Sequence, residues 1–140
     1  MVTRDAQPYA DGGAEAPALV LSVPLSLWGG IDVETGRIID RSHPDAGACV
    51  AGRVLVMPTG RGSSSSSAVL AEALRLGTGP VAIVLGAADP ILTVGALVAE
   101  TLYGVRCPIV VCAIDGIATG DRMRVSAANG RASIVHSSTV

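Results

Sequence analysis

The sequence predicts an α/β fold built on a central parallel βαβαβ unit with antiparallel flanking strands, and three observations predict it. Short aliphatic runs at residues 53–57, 81–85 and 108–114 alternate with helix-forming stretches at 68–76 and 91–102. That order implies parallel strand neighbours joined by right-handed crossovers. Asn129-Gly130 separates two further strand-like segments near the C-terminus, and Asn-Gly is the strongest short hairpin signal. Finally, 140 residues with 49% hydrophobic and 16% charged side chains suit one domain with an aliphatic core and argue against a disordered chain.

Taken in order, residues 1–17 are rich in Ala, Gly, Pro and Asp without apolar periodicity, which reads as a mobile tail and leaves 18–140 as the domain. Residues 18–23 (ALVLSV) form the first strand. A loop with paired glycines, Gly29-Gly30, and a Glu34-Thr35-Gly36 turn leads to a short strand at 37–40. Residues 41–52, with His43-Pro44 and two glycines, are largely irregular. Residues 53–57 (RVLVM) are a strand, broken at 58–66. The helix over 68–76 carries an apolar stripe of Val69, Leu70, Ala73, Leu74 and Leu76 and ends at Gly77 and Gly79-Pro80. Residues 81–85 are a second buried strand. Asp89-Pro90 then places a capping carboxylate before a proline at the first helical position, and Gly104 closes the helix over 91–102. The run 108–114 (PIVVCAI) is apolar throughout, as in a strand covered on both faces. Segments 122–126 and 131–136 complete a hairpin.

Composition narrows function. The net charge is −2, with no lysine, no Phe, one Trp and two Tyr, so neither a basic stripe nor a stacking platform for nucleic acid is present. No apolar run approaches the roughly 18 residues that span a bilayer. The stretch 19–27 contains Pro24 and follows an acidic segment, so it reads as a strand and not a signal peptide. Cys49, Cys107 and Cys112 lack CxxC spacing. They read as buried small apolar residues in a reducing cytoplasm, and no metal site is expected within this chain.

The segment that carries chemistry is Gly60-Arg61-Gly62-Ser63-Ser64-Ser65-Ser66-Ser67. It lies between the end of a buried strand and the start of a helix, where glycines let the backbone turn and free N–H groups point outward. The helix start favours an anion, and Arg61 adds a cation able to grip a carboxylate. Ser66 or Ser67 reads as the helix cap. Residue types alone leave several functions open: anion binding, a flexible Gly/Ser linker, or nucleophilic chemistry. A Walker-type loop is missing its GxxxxGK[ST], and a serine-hydrolase elbow is missing its GxSxG. His43 and His136 are the available bases.

Leu27-Trp28-Gly29-Gly30-Ile31-Asp32, Thr35-Gly36-Arg37-Ile38-Ile39-Asp40, His43-Pro44 and Gly60-Arg61-Gly62-Ser63-Ser64-Ser65 together resemble the aconitase X swivel domain. The resemblance continues through Pro80-Val81-Ala82-Ile83 to Gly95-Ala96, and so covers residues 18–115. It implies a swivelling β/β/α fold and the small subunit of a two-component hydro-lyase, or the equivalent of one domain of a fused enzyme. A larger partner would hold an iron–sulfur cluster on its own cysteines. Gly62-Ser63-Ser64 is also similar to the catalytic serine loop of ordinary aconitases, which implies that Ser63 is the general base. Arg61, Gly62 and Ser64, with Trp28, Gly29 and Gly30, would then contact a β-hydroxy carboxylate. The chain departs from the pattern twice: Ser66 stands where the family usually has glycine, and Ser65 where ordinary aconitases have arginine. Within the family the implied substrates are cis-3-hydroxy-L-proline and, alternatively, phosphomevalonate. The arginine-only composition leans towards the first. A stand-alone anion-binding module and a phosphoryl-carrying swivel domain are the competing readings, and the latter needs a loop histidine that the serine segment does not contain. Asp32 reads as a turn cap, His43 as a turn element and His136 as part of a frayed end.

Overall fold

The structure is a computed structural model that describes residues 1–138; residues 139–140, the end of the expected domain, lie outside it. Seven strands and two helices follow in the order β1 (Val2–Ala10), β2 (Gly12–Val20), β3 (Val54–Met57), α1 (Ser66–Leu76), β4 (Ala82–Leu85), α2 (Pro90–Tyr103), β5 (Ile109–Val111), β6 (Arg122–Ala128) and β7 (Arg131–Ser137). The strands close into a barrel, β1-β5-β4-β3-β2-β6-β7. Strands β2, β3, β4 and β5 run parallel to one another. Strands β6 and β7 form an antiparallel hairpin across Asn129-Gly130, whose φ values of 55° and 74° are those of a type I′ turn.

The first 17 residues correct the expectation of a tail: they form β1 and most of β2. Each of these strands serves two sheets. Val2–Ala6 pairs with β7 while Gln7–Ala10 pairs with β5; Gly12–Pro17 pairs with β6 while Ala18–Val20 pairs with β3. Arg4 on β1 also donates to the carbonyls of Ala113 and Asp115. Ala and Gly are poor strand formers by themselves, so what orders this segment is the unpaired edges of strands more than a hundred residues away. The strand expected at 18–23 therefore begins earlier and ends at Val20. The one expected at 37–40 reduces to isolated bridges, Ile31 to Ile38 and Arg37 to Cys49.

Two clusters make the core. The barrel interior holds Ala16, Ala18, Val54, Val56, Ala82, Val84, Val110, Met123, Val125 and Ile134, mostly small or β-branched, as a narrow barrel requires. Alternate residues of the same strands, Leu55, Met57, Ile83 and Leu85, face outward under the helices. There they meet Leu70, Leu74, Leu92 and Ala96 together with Leu21, Leu25, Leu27, Ile31, Ile38 and Val50 from the long 21–53 connection. Strands β3 and β4 are thus buried on both faces. No helix among the described residues is long and apolar enough to cross a membrane.

The helices approach closely at Gly95, where a side chain's first carbon would lie 2.7 Å from the Ser67 carbonyl oxygen. Gly95→Ala gains about 1 kcal/mol of helix propensity but must push backbone apart, which costs about 1–3 kcal/mol. We expect a net loss of stability, read as a lower urea midpoint with an unchanged slope; a raised midpoint would contradict this packing.

Candidate functional site

The serine segment leaves β3, turns at Gly60 and Gly62, and enters α1. Residues 61–65 are exposed. Two contacts fix its path. Gly60 lies against Asp89, so close that a side chain there would begin 1.8 Å from the carboxylate oxygen Oδ2. Asp89 caps α2, accepting from the N–H groups of Ile91 and Leu92 at 2.9 and 3.3 Å. On the other side Gly62 adopts φ +96° and packs on Ser26; a first side-chain carbon would fall 2.2 Å from Ser26 Oγ. Only glycine satisfies both the left-handed backbone and the contact.

Beyond Gly62 a chain of hydrogen bonds joins the serine segment to the turn at Trp28. Ser26 Oγ donates to the Trp28 carbonyl at 3.2 Å. The Trp28 N–H donates to Ser66 Oγ at 3.1 Å, and Ser66 N–H donates to the Ser63 carbonyl at 3.0 Å. Ser66 is only 2% exposed, so its hydroxyl is a buried fastener between segments 38 residues apart. This corrects the expectation that Ser66 or Ser67 caps α1. Ser65 occupies the cap position, with no side-chain cap bond, while Ser67 Oγ donates back to the Ser64 carbonyl. Ser26 and the fastening role of Ser66 have no signal in the sequence, because each is defined by a partner in another segment.

Ser63 is exposed, and its Oγ accepts the Ser65 N–H at 3.1 Å. α1 has no acidic residue in its first turn, leaving the positive end of its dipole uncompensated on this side. Arg61 forms no ion pair among the described residues. Its charge reaches Asp40, whose carboxyl is held below the usual range, first by the Ser42 hydroxyl and N–H and then by His43 and Arg61. Trp28 is 57% exposed, not a core tryptophan. Gly29 turns at φ +76°, and Gly30 sits on the Ser26 carbonyl. The Trp28-Gly29-Gly30 turn and the Gly62-Ser63-Ser64 segment thus lie side by side.

Other candidates have structural work. Asp32 Oδ1 accepts the Glu34 N–H and closes its turn. His43 is buried, with Nδ1 accepting from the Asp45 N–H and Nε2 placed 3.0 Å from the Val23 carbonyl. His136 is not at a frayed end: it is buried on β7, with Nδ1 3.4 Å from Asp121 Oδ2. Among the described residues no group of three or more His, Cys, Asp or Glu could hold a metal ion. Cys49, Cys107 and Cys112 are therefore not gathered into the multi-thiolate ligand set that an iron–sulfur cluster needs. Burial pushes the Cys107 thiol up to about 12, burial also raises Cys112 against the opposing charge of Arg4, and Cys49 donates to the Thr35 carbonyl.

A family model described as the aconitase X swivel domain matches residues 4–134. The cis-3-hydroxy-L-proline dehydratase of Hypocrea jecorina is 39% identical over 122 residues, which are 87% of this chain and 20% of that protein. The phosphomevalonate dehydratase small subunit of Methanothermobacter thermautotrophicus is 40% identical over 95 residues, covering 68% of this chain and 72% of that one. The structure of Thermococcus kodakaraensis aconitase X superposes with a TM-score of 0.85 at 31% identity, over 96% of this chain and 99% of that chain. The chain spans about a fifth of the length of the hydroxyproline dehydratases that it matches.

Two substitutions test the geometry. Ser66→Ala leaves the Trp28 N–H without its acceptor, which costs about 1–3 kcal/mol. Trp28 is the sole tryptophan, so the same change should lower its fluorescence anisotropy and raise its quenching by acrylamide; unaltered emission would mean that the bond does not hold the turn. Gly62→Ala forces a side chain into left-handed backbone at about 1–2 kcal/mol and into Ser26. Ser26→Gly in that background should recover part of the lost stability in urea unfolding, relieving the contact while the backbone cost stays.

Proposed function

The chain belongs to the aconitase X swivel-domain family, and on that premise we propose that it is the small, serine-bearing component of a hydro-lyase that dehydrates a β-hydroxy acid. The observation that carries the proposal is the Ser65 N–H donating to the exposed Ser63 Oγ at 3.1 Å, at a helix start without acidic neighbours. A serine hydroxyl is far too weak an acid to lose its proton unaided at neutral pH. A hydrogen bond made to its oxygen, the helix dipole and a nearby guanidinium all favour the alkoxide over the alcohol. Ser63 as an alkoxide then takes the proton from the carbon next to the substrate carboxylate. The C–H electron pair forms the double bond, and the β-hydroxyl leaves as water, a departure that a Lewis acid in the partner would assist.

Arg61 binds that carboxylate, and it is the loop's cation without an ion-pair partner among the described residues. Gly62 and Ser64 present backbone to the substrate, since no side chain fits at Gly62. Trp28, Gly29 and Gly30 wall the same space, with Trp28 held through both its N–H and its carbonyl. In this reading the iron–sulfur cluster belongs to a larger partner, because the described residues here assemble no group of ligands for one. The naming of archaeal relatives as small subunits supports two components. The free cysteines Cys49, Cys107 and Cys112 suit the reducing cytoplasm.

The substrate proposed is cis-3-hydroxy-L-proline, on which the fungal relative acts by name. Phosphomevalonate is the second reading, favoured by the archaeal small subunit, of which the chain covers 72%. With the large component supplied, Ser63→Ala should lower kcat by about 10²–10⁴ with assembly and thermal unfolding unchanged; near-normal turnover would refute Ser63 as base. Comparing kcat/KM on the two substrates decides between them. Tight carboxylate binding by this chain alone, measured calorimetrically, together with no turnover in any assembly, would point instead to a non-catalytic anion-binding module.

A further inference from the structure

α2 is built the wrong way round for a helix that faces water. Its buried residues are Leu92, Gly95, Ala96 and Ala99, mostly small. The larger aliphatics point outward: Val94, Leu97, Val98 and Leu102 are 50%, 44%, 38% and 65% exposed. Those four, with Thr101 between them, line one shallow apolar groove. Glu100 is the only charged residue in the 14-residue helix. A surface helix normally turns its polar face to solvent, and one that is apolar all round is covered on both sides.

We infer that this outer face of α2 is the docking surface for the large, cluster-bearing component, an inference that rests on the function proposed above. Two observations select that occupant over a second copy of this chain. The first is continuity with the serine segment. Gly60 packs on Asp89, which caps α2, and Ser67 lies against Gly95, the neighbour of Val94. The apolar stripe therefore begins about one helical turn from the loop that must meet a substrate completed elsewhere, so a body closing over Ser63 reaches α2 as well. The second is size. From Val94 to Leu102 the stripe is about 12 Å long and one helix, about 10 Å, wide. That is well short of the roughly 800 Å² that each partner buries in a stable interface. Added to the exposed Trp28 and the serine segment, it becomes one side of a larger contact. In the fungal relative the matching region is 20% of the protein, so four-fifths of that chain is available to cover such a face permanently.

The test uses the full chain and the large component from the same organism, expressed as a separate chain. Leu97→Asp with Leu102→Asp replaces two exposed side chains, so the circular dichroism spectrum and thermal midpoint should stay as in the parent. The Kd for the large component, by interferometry, should weaken at least 10-fold. Ser63→Ala serves as the control and should bind normally while losing turnover. An unchanged Kd for the double variant, beside normal binding by the parent, overturns the docking surface alone. A parent chain that binds no large component overturns the proposed function with it. A parent chain that forms a dimer by sedimentation, dissolved by the double variant, assigns the face to a second copy and also overturns the inference.

Discussion

The part-buried hydrogen bond from the Trp28 N–H to Ser66 Oγ ties together the two segments that form the candidate site. It crosses from the long 21–53 connection to the first turn of α1, and both ends are rigid for independent reasons. Ser66 begins a helix whose inner face, Leu70 and Leu74, is packed into the outer core. Trp28 sits in a turn whose flanks, Leu25, Leu27 and Ile31, are anchored in the same core. A hydroxyl in place of hydrogen at position 66 costs one buried polar group, satisfied at once by a backbone donor that would otherwise be orphaned. The exposed residues between these anchors, Arg61 to Ser65, inherit their position from buried neighbours instead of holding it themselves.

The barrel explains why such a loop stands where it does. Strands β3, β4 and β5 run parallel, so the connections at their C-terminal ends gather on one rim, and the helices that follow begin there. β3 supplies the serine segment to α1, and β4 supplies Asp89 to α2. The two junctions touch through Gly60 and the Asp89 carboxylate, so the cap of one helix braces the approach to the other. Glycines recur where segments meet: Gly60 faces the Asp89 carboxylate, Gly62 the Ser26 side chain and Gly95 the Ser67 backbone, each a contact that a methyl group would close. The cost of that economy is a helix whose bulk lies outside. Because α1 comes so near, α2 offers Gly95, Ala96 and Ala99 inward and its larger side chains outward.

Much of this was legible in the residues. The aliphatic runs of β3, β4 and β5, the two helices with their glycine stops, the Asp89-Pro90 cap and the Asn129-Gly130 hairpin are each defined by neighbours within a few positions. Local rules of periodicity, capping and turn chemistry suffice for them. The serine segment was legible too, because glycines and serines between a strand and a helix carry a meaning that does not depend on what surrounds them.

What local rules missed has a common cause. Residues 1–17 have the composition of a tail, and become strands because barrel closure leaves edges on β5, β6 and β7 that only they can satisfy. Ser66 looks like a cap and is a bridge, since its partner is 38 residues away. His136 looks terminal and is buried beside Asp121. The sequence by itself determined β3, α1, β4, α2, β5 and the β6–β7 hairpin, and where the serine hydroxyls of the candidate site lie along the chain. The tertiary structure alone decided which distant segments meet, because the free energy of those contacts comes from closing the barrel as a whole and is absent from any short stretch of it.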